Sequence, residues 1–232
     1  MALDKNDNTL IASLFPEGVA TSEANPKLIR GFVYPEEVTL VCHSVPSRRQ
    51  EFFAGRLCAR RALAKIGIRN FPILMAYDRA PVWPPGIVGS ISHADGYCGV
   101  AVAKRMEVES IGLDVERVCR LNSDCWRYIC TQQELSWINS LPRECKQRNI
   151  ALIFSAKECL YKCQYAISRR WLDFDDVSIS VNSDTGEFEA RLIINVGSRF
   201  VKGTCLKGKY LFYYDYVFTG ITFAHRRDLR LV

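Results

Sequence analysis

Between Pro46 and Asn70 the chain sets Phe53, Leu57, Leu63 and Ile66 among arginines at helical spacing, and Gly67 follows as a stop signal. That pattern predicts an amphipathic helix. A Pro/Gly-rich stretch, Pro81 to Gly89, leads through Val88-Gly-Ser-Ile-Ser-His93 into Tyr97 to Ala103, an apolar run that reads as a buried strand. From Ser110 to Val118 the period changes to two: Ile111, Leu113 and Val115 share one face of a strand, Asp114 and Glu116 the other. Thr131-Gln-Gln-Glu134 is a capping box that opens a helix through Leu141, which Pro142 ends. A further helix is predicted from about Ser155 to Ser168, with Ser155-x-x-Glu158 as its capping box. The remainder, Val177 to Phe223, is strand-like, with turn signals at Asp184-Thr-Gly186 and Lys207-Gly208. The order is mixed α+β. A division is expected near residue 105, between a half spanning 1–105 that holds the basic helix and a half spanning 106–232 that holds the carboxylates.

Composition narrows the class. The chain has 232 residues, 48% of them hydrophobic and 24% charged, so there is enough apolar chain for a real core and too little charge for disorder. No apolar stretch approaches the roughly 18 residues of a membrane span. Met1 to Phe15 carries Asp4, Lys5 and Asp7 before a short apolar patch, unlike a secretory signal, and a cytoplasmic protein is expected. The basic amphipathic helix leaves peripheral membrane attachment open. Ten cysteines include no C-x-x-C pair, and Cys58, Cys98 and Cys159 sit in apolar runs, as free buried thiols do. His43, His93 and His225 lack zinc-ligand spacing, so neither disulfides nor a zinc site is expected.

Four constellations could carry chemistry. Asp114-x-Glu116 puts two carboxylates on one strand face about 7 Å apart, a donor pair that suits a hard cation; taken alone, a D-x-E is ordinarily a solvated face. In Phe154-Ser-Ala-Lys-Glu-Cys-Leu-Tyr-Lys162, local physics accounts for Glu158 and Lys162 as an i,i+4 ion pair behind a helix cap, while a carboxylate flanked by Lys157 and Lys162 could also complete a metal site beside an anion. The helix between Arg48 and Arg69 carries seven basic residues against Glu51 alone, an arrangement that grips phosphate as readily as it solvates a surface. Finally, Ser92 and His93 are neighbours in a strand and face opposite ways, and no G-x-S-x-G elbow is present, which argues against a Ser–His hydrolase.

The order of these signals is more specific than any one of them. Gly55-Arg-Leu-Cys-Ala-Arg60, Trp83-Pro-x-Gly86, Gly89-Ser-Ile-Ser-His93, Ile111-Gly-Leu-Asp-Val-Glu116, Phe154-Ser-Ala-Lys-Glu158 with Lys162, and Arg169-Arg-Trp-Leu-Asp-Phe174 together resemble the 4′-phosphopantetheinyl transferases of the Sfp and enterobactin-synthase-component-D branch. The resemblance covers roughly residues 48–175. Leu113 and Val115 stand where isoleucines are common in the family, a conservative departure. It implies an α+β fold of two pseudo-twofold-related halves, with CoA and Mg²⁺ bound between them. It also implies transfer of the phosphopantetheine arm of CoA to a serine of an acyl or peptidyl carrier protein, with release of 3′,5′-ADP, by a cytoplasmic monomer serving peptide or siderophore synthesis.

By the same resemblance, Asp114, Glu116 and Glu158 gather around Mg²⁺, and Glu158 takes the serine proton directly or through a metal-bound water. Lys157 and Lys162 hold phosphate oxygens, Arg56 and Arg60 grip the 3′-phosphate, Arg79 adds a nucleotide contact, and Ser92 and His93 bind phosphate. The basic half fits an acidic carrier. The alternative is a non-catalytic nucleotide- or RNA-binding protein that uses the arginine-rich helix; no recognised nucleic-acid motif accompanies it.

Overall fold

In the computed structural model, which describes residues 9–119 and 121–225, the first part of the chain forms β1 (Ala20–Ala24), α1 (Pro35–Thr39), α2 (Pro46–Lys65), β2 (Leu74–Met75), β3 (Pro81–Val82), β4 (Ile87–Ala94) and β5 (Tyr97–Lys104). The second part forms β6 (Ser110–Arg117), α3 (Trp126–Ile129), α4 (Gln132–Ser140), α5 (Arg143–Ser168), β7 (Val177–Asn182), β8 (Glu187–Leu192), β9 (Cys205–Tyr213) and β10 (Tyr216–Phe223). Asp4, Lys5 and Asp7, read above as unlike a leader, lie outside the described residues. None of the helices is long and apolar enough to cross a membrane among the described residues.

Each part lays a long helix on an antiparallel sheet. β1, β5 and β4 form one sheet in that order, and β6, β10, β9, β8 and β7 form the other. Pro46 opens α2, where its missing N–H costs nothing, and Gly67, at φ +86°, ends the turn beyond it. The face α2 buries is built mainly from small residues, Ala54, Cys58, Ala59 and Ala62, with Leu63, and they pack on Val100 and Val102 of β5. Phe53 and Leu57, expected in that core, are only half-buried; Leu57 lies instead against Gly31, where an added Cβ would come within 2.6 Å of its Cδ2. Cys58, Cys98 and Cys159 are buried free thiols, as their apolar settings imply.

Three sequence expectations change in the second sheet. The helix predicted from Ser155 starts at Arg143, directly after Pro142, because Ile150, Ala151, Leu152 and Ile153 extend its buried stripe backwards. Ser155 is therefore no cap: its hydroxyl is buried 2.8 Å from Thr219 Oγ1, and Glu158 lies mid-helix, away from the positive end of the helix dipole. Lys207-Gly208 is no turn either; it lies within β9, where a Cβ on Gly208 would sit 2.3 Å from Phe188 Cζ. Asp184-Thr-Gly186 does form the β7–β8 turn.

The third change is in β6, where Ser110 to Val115 are all buried, so Asp114 is not on a solvated face. One face packs on α5. Gly112 permits the approach, since a Cβ there would stand 2.1 Å from the carbonyl oxygen of Cys159. On the other face, Ile111, Leu113 and Val115 share a cluster with Val88, Ala101, Ala103 and Phe218, which glues the two sheets together. The edges of β4 and β6 meet without a backbone ladder. Instead Leu113 N donates to Ser90 Oγ at 3.1 Å and Val115 N to Ser92 Oγ at 3.2 Å. Ser90 and Ser92, two positions apart on β4, match the period-two amides of Leu113 and Val115 on β6, so these buried edge amides find acceptors.

Candidate active site at the seam of the two sheets

The serine seam delivers a small polar cluster. Ser92 Oγ donates to Asp114 Oδ1 at 3.0 Å, and Lys162, reaching across from α5, places Nζ 2.7 Å from the same Oδ1, 3.0 Å from Ser92 Oγ and 3.3 Å from Leu113 O. The hydroxyl of Ser92 thus gives its one proton to Asp114 and accepts two, which commits it to holding the acid and the lysine rather than to acting as a nucleophile. His93 points the other way, towards α2, as strand alternation requires.

Asp114 is 3% exposed, and its second oxygen, Oδ2, is buried with no hydrogen-bond partner. Glu158, one turn before Lys162, is half-buried; burial first and the Asp114 charge second push its carboxyl above the usual range, and Lys162 opposes them in part. Burial alone would lower Lys162, but the charge and hydrogen bond of Asp114, aided by Glu158, outweigh it and hold the ammonium above its ordinary value. A stranded buried carboxylate oxygen beside a second, repelled carboxylate is the electrostatic situation that a hard cation relieves. Glu116 shares the Asp114 face of β6 and is half-buried, opposite Val217. Among the described residues, no three His, Cys, Asp or Glu side chains stand close enough to hold a metal ion unaided.

On the α2 side, cations converge. Arg56 is 7% exposed; its Nε donates to Ile73 O at 3.0 Å and its guanidinium lies 3.7 Å from the centre of the Phe52 ring. Burial pulls its pKa down to about 10, with Glu37 opposing and Arg48 and Arg60 adding repulsion. Arg48 Nη1 sits 2.7 Å from His93 Nε2. Burial, followed by the opposing attraction of Glu51 and the repulsion of Arg48 and Lys162, leaves His93 below the usual imidazole value. Arg48 belongs to the basic helix, and its i,i+8 spacing to Arg56 keeps the two on one broad face of α2.

Between the loop before β4 and the end of α5 lies a groove of about 310 Å³, lined by Arg79, Trp83, Ser90, Tyr161, Lys162 and Arg169 among others. Arg79 is exposed there, in the left-handed region at φ +67°. Its neighbour Asp78 accepts from Tyr165 Oη at 3.0 Å and Arg169 Nη1 at 3.2 Å, and so ties this loop to α5. No sequence signal marked Asp78, because its partners lie in the other half of the chain.

Two expected phosphate ligands are otherwise engaged. Lys157 is 1% exposed at its side chain and spends all three protons on Glu134 Oε2 at 2.7 Å, Ile129 O at 2.8 Å and Phe174 O at 2.8 Å. Arg60 donates to Glu37 Oε1 at 2.5 Å and Phe32 O at 2.6 Å. Buried polar groups take the nearest fixed partners, and here those are structural.

The chain matches two family descriptions. Residues 36–103 match the 4′-phosphopantetheinyl transferase N-terminal domain, and residues 110–214 the 4′-phosphopantetheinyl transferase superfamily. It is 35% identical over 201 residues to the 4′-phosphopantetheinyl transferase Svp of Streptomyces mobaraensis, covering 84% of this chain and 82% of that one. It is 32% identical over 227 residues to the 4′-phosphopantetheinyl transferase Npt of Nocardia iowensis, covering 93% of this chain and 100% of that one. Enterobactin synthase component D of Salmonella typhimurium matches at 34% identity over 122 residues, 50% of this chain and 47% of that one.

Proposed function

Since the chain belongs to the 4′-phosphopantetheinyl transferase superfamily and is an enzyme of that type, we propose that it transfers the 4′-phosphopantetheine arm of CoA to a serine of an apo carrier protein, in a Mg²⁺-dependent reaction that releases 3′,5′-ADP. The observation that carries this reading is the unpartnered Asp114 Oδ2, buried beside Glu158 at the seam where Lys162 enters. Asp114 and Glu158, with Glu116 on the same strand face, are the residues that would hold Mg²⁺. When bound, the ion would neutralise charge on the pyrophosphate.

The chain's own residues account for the rest. Lys162, in reach of the Asp114 oxygen, holds a phosphate oxygen next to the bond that breaks. Glu158, its proton affinity raised by burial, takes the proton of the carrier serine directly or through water as the serine oxygen attacks. One O–P bond forms to the serine, the bridging P–O bond breaks, and the electron pair leaves on 3′,5′-ADP. Arg48, Arg56 and His93 form the site for the 3′-phosphate, and Arg79 lines the groove for the rest of the nucleotide. The work divides near residue 105: 1–105 supplies the 3′-phosphate site, and 106–232 supplies the metal-binding carboxylates, the proton transfer and the Lys162 phosphate contact. The carrier supplies the nucleophile, which is why Ser92 is free to serve as a strut. A monomeric, cytoplasmic enzyme for peptide- or siderophore-type carriers completes the reading.

The test is intact-mass spectrometry of an apo carrier incubated with CoA and this protein, with Mg²⁺ or with EDTA. A gain of one phosphopantetheine group that requires Mg²⁺ is expected. No gain on acyl and peptidyl carriers alike, with CoA still bound, would instead favour a non-catalytic nucleotide binder.

A further inference from the structure

His93 meets a charged partner at each ring nitrogen. Nε2 lies 2.7 Å from Arg48 Nη1, while Nδ1 lies 3.6 Å from Glu51 Oε2. The same Glu51 oxygen is 3.6 Å from Arg48 Nη1. A guanidinium has no lone pair to offer, so Nε2 must be the acceptor, and the neutral ring carries its proton on Nδ1, facing Glu51. At 3.6 Å the carboxylate acts by charge rather than by a direct hydrogen bond. The charges that act on His93 are Arg48 and Glu51 from α2, Lys162 from α5 and Asp114 from β6. Two of these are cations, and burial also disfavours the imidazolium. Glu51 is the strongest influence in the other direction.

We propose that Glu51 is a positioning residue for the CoA 3′-phosphate: it keeps His93 in the Nδ1–H tautomer, holds Arg48 against the ring, and stabilises the imidazolium that forms when the phosphate draws Arg48 off Nε2. This rests on the reading of Arg48, Arg56 and His93 as the 3′-phosphate site. In the ligand-free state Nε2 is blocked by Arg48. When the dianion arrives, Arg48 turns to it, His93 takes one proton from solvent onto Nε2, and that proton is donated to a phosphate oxygen. The positive ring then has a carboxylate directly behind it, the arrangement that commonly fixes the orientation and basicity of a functional histidine. With Glu51 about a third exposed, the helix does not depend on it for its core.

The experiment measures steady-state transfer to a fixed carrier with CoA and with the analogue that lacks only the 3′-phosphate. It compares the unaltered protein with Glu51→Gln, Glu51→Asp and His93→Gln, between about pH 6 and pH 8, the range across which a histidine titrates. Glu51→Gln is expected to raise KM for CoA about tenfold, a difference of about 1.4 kcal/mol. Its kcat should stay within about twofold, on the reasoning that only binding is touched. The rise should steepen with pH, Glu51→Asp should restore most of the affinity, and KM for the truncated analogue should not move. If His93→Gln raises KM for CoA but Glu51→Gln does not, the positioning role is overturned while the phosphate site stands. If His93→Gln affects CoA and the truncated analogue alike, the phosphate-site reading itself falls, and this inference with it.

Discussion

Lys162 Nζ stands 2.7 Å from Asp114 Oδ1, yet Oδ2 of the same carboxylate, equally buried, has no partner. The lysine therefore satisfies half of an acid that the fold has removed from water, and leaves the other half without a partner. Asp114→Ala is expected to lower transfer by at least about 10²-fold, on the scale of losing one preorganised electrostatic contact. Ser92→Ala should cost much less, because the serine only braces the pair. Carrier modification followed by mass spectrometry measures both, and full activity in Asp114→Ala would remove Asp114 from the reaction.

Mg²⁺ should raise the melting temperature of the unaltered protein and leave that of Asp114→Asn unchanged. A ligand present at about 100 times its Kd adds about 2.7 kcal/mol to the folded state, so differential scanning calorimetry reads the effect directly. An equal rise in both proteins would point to a different cation site.

Glu158 has a folded-state pKa above its ordinary value, first through burial and then through Asp114. A raised carboxylate favours folding while it is protonated, and that contribution is lost as pH rises through the folded pKa. In EDTA, Glu158→Gln should therefore be as stable as the unaltered protein or more so near neutrality, with the difference growing in its favour from about pH 4 upward, where carboxylates ionise. Transfer should nevertheless fall roughly 10²–10⁴-fold, as the loss of a general base entails. Urea melts at several pH values, paired with the transfer assay, separate the two effects.

Lys157 and Glu134 form a buried ion pair, 1% and 3% exposed, in which Glu134 also accepts from Thr131 N and Ile179 N. Lys157→Met strands that carboxylate and should cost about 3–5 kcal/mol of stability. Adding Glu134→Gln should recover part of the loss. Chemical denaturation decides it; a Lys157→Met protein of unchanged stability would show that the Lys157–Glu134 pair does not hold this part of the fold together.

Gly112→Ala should cost at least about 1–3 kcal/mol, the usual penalty of overpacking, because the new methyl would meet the main chain of α5 at Cys159 rather than a side chain able to turn aside. The shift of α5 would also draw Lys162 and Glu158 away from Asp114. Transfer should therefore fall further than in any surface variant of equal stability.

The chain by itself determined which residues recur together and which way neighbours point. Period-two alternation placed Ser92 and His93 on opposite faces and Asp114 and Glu116 on one, and the structure keeps both. Capping chemistry at Thr131 and the glycine after α2 marked ends that the structure also shows. Packing decided the rest. The capping pattern at Ser155 was real but unused, since an apolar stripe upstream had already begun the helix.

Lys157 and Lys162 illustrate the division most plainly. At 3.6 residues per turn they point about 140° apart, which the sequence states. It does not say what lies opposite each direction. One side of α5 faces α4 and Glu134, the other faces β6 and Asp114, and so one lysine is sealed into an internal ion pair while its neighbour reaches the seam. Local periodicity fixes directions along an element; only long-range contact supplies the partners that turn a direction into a site.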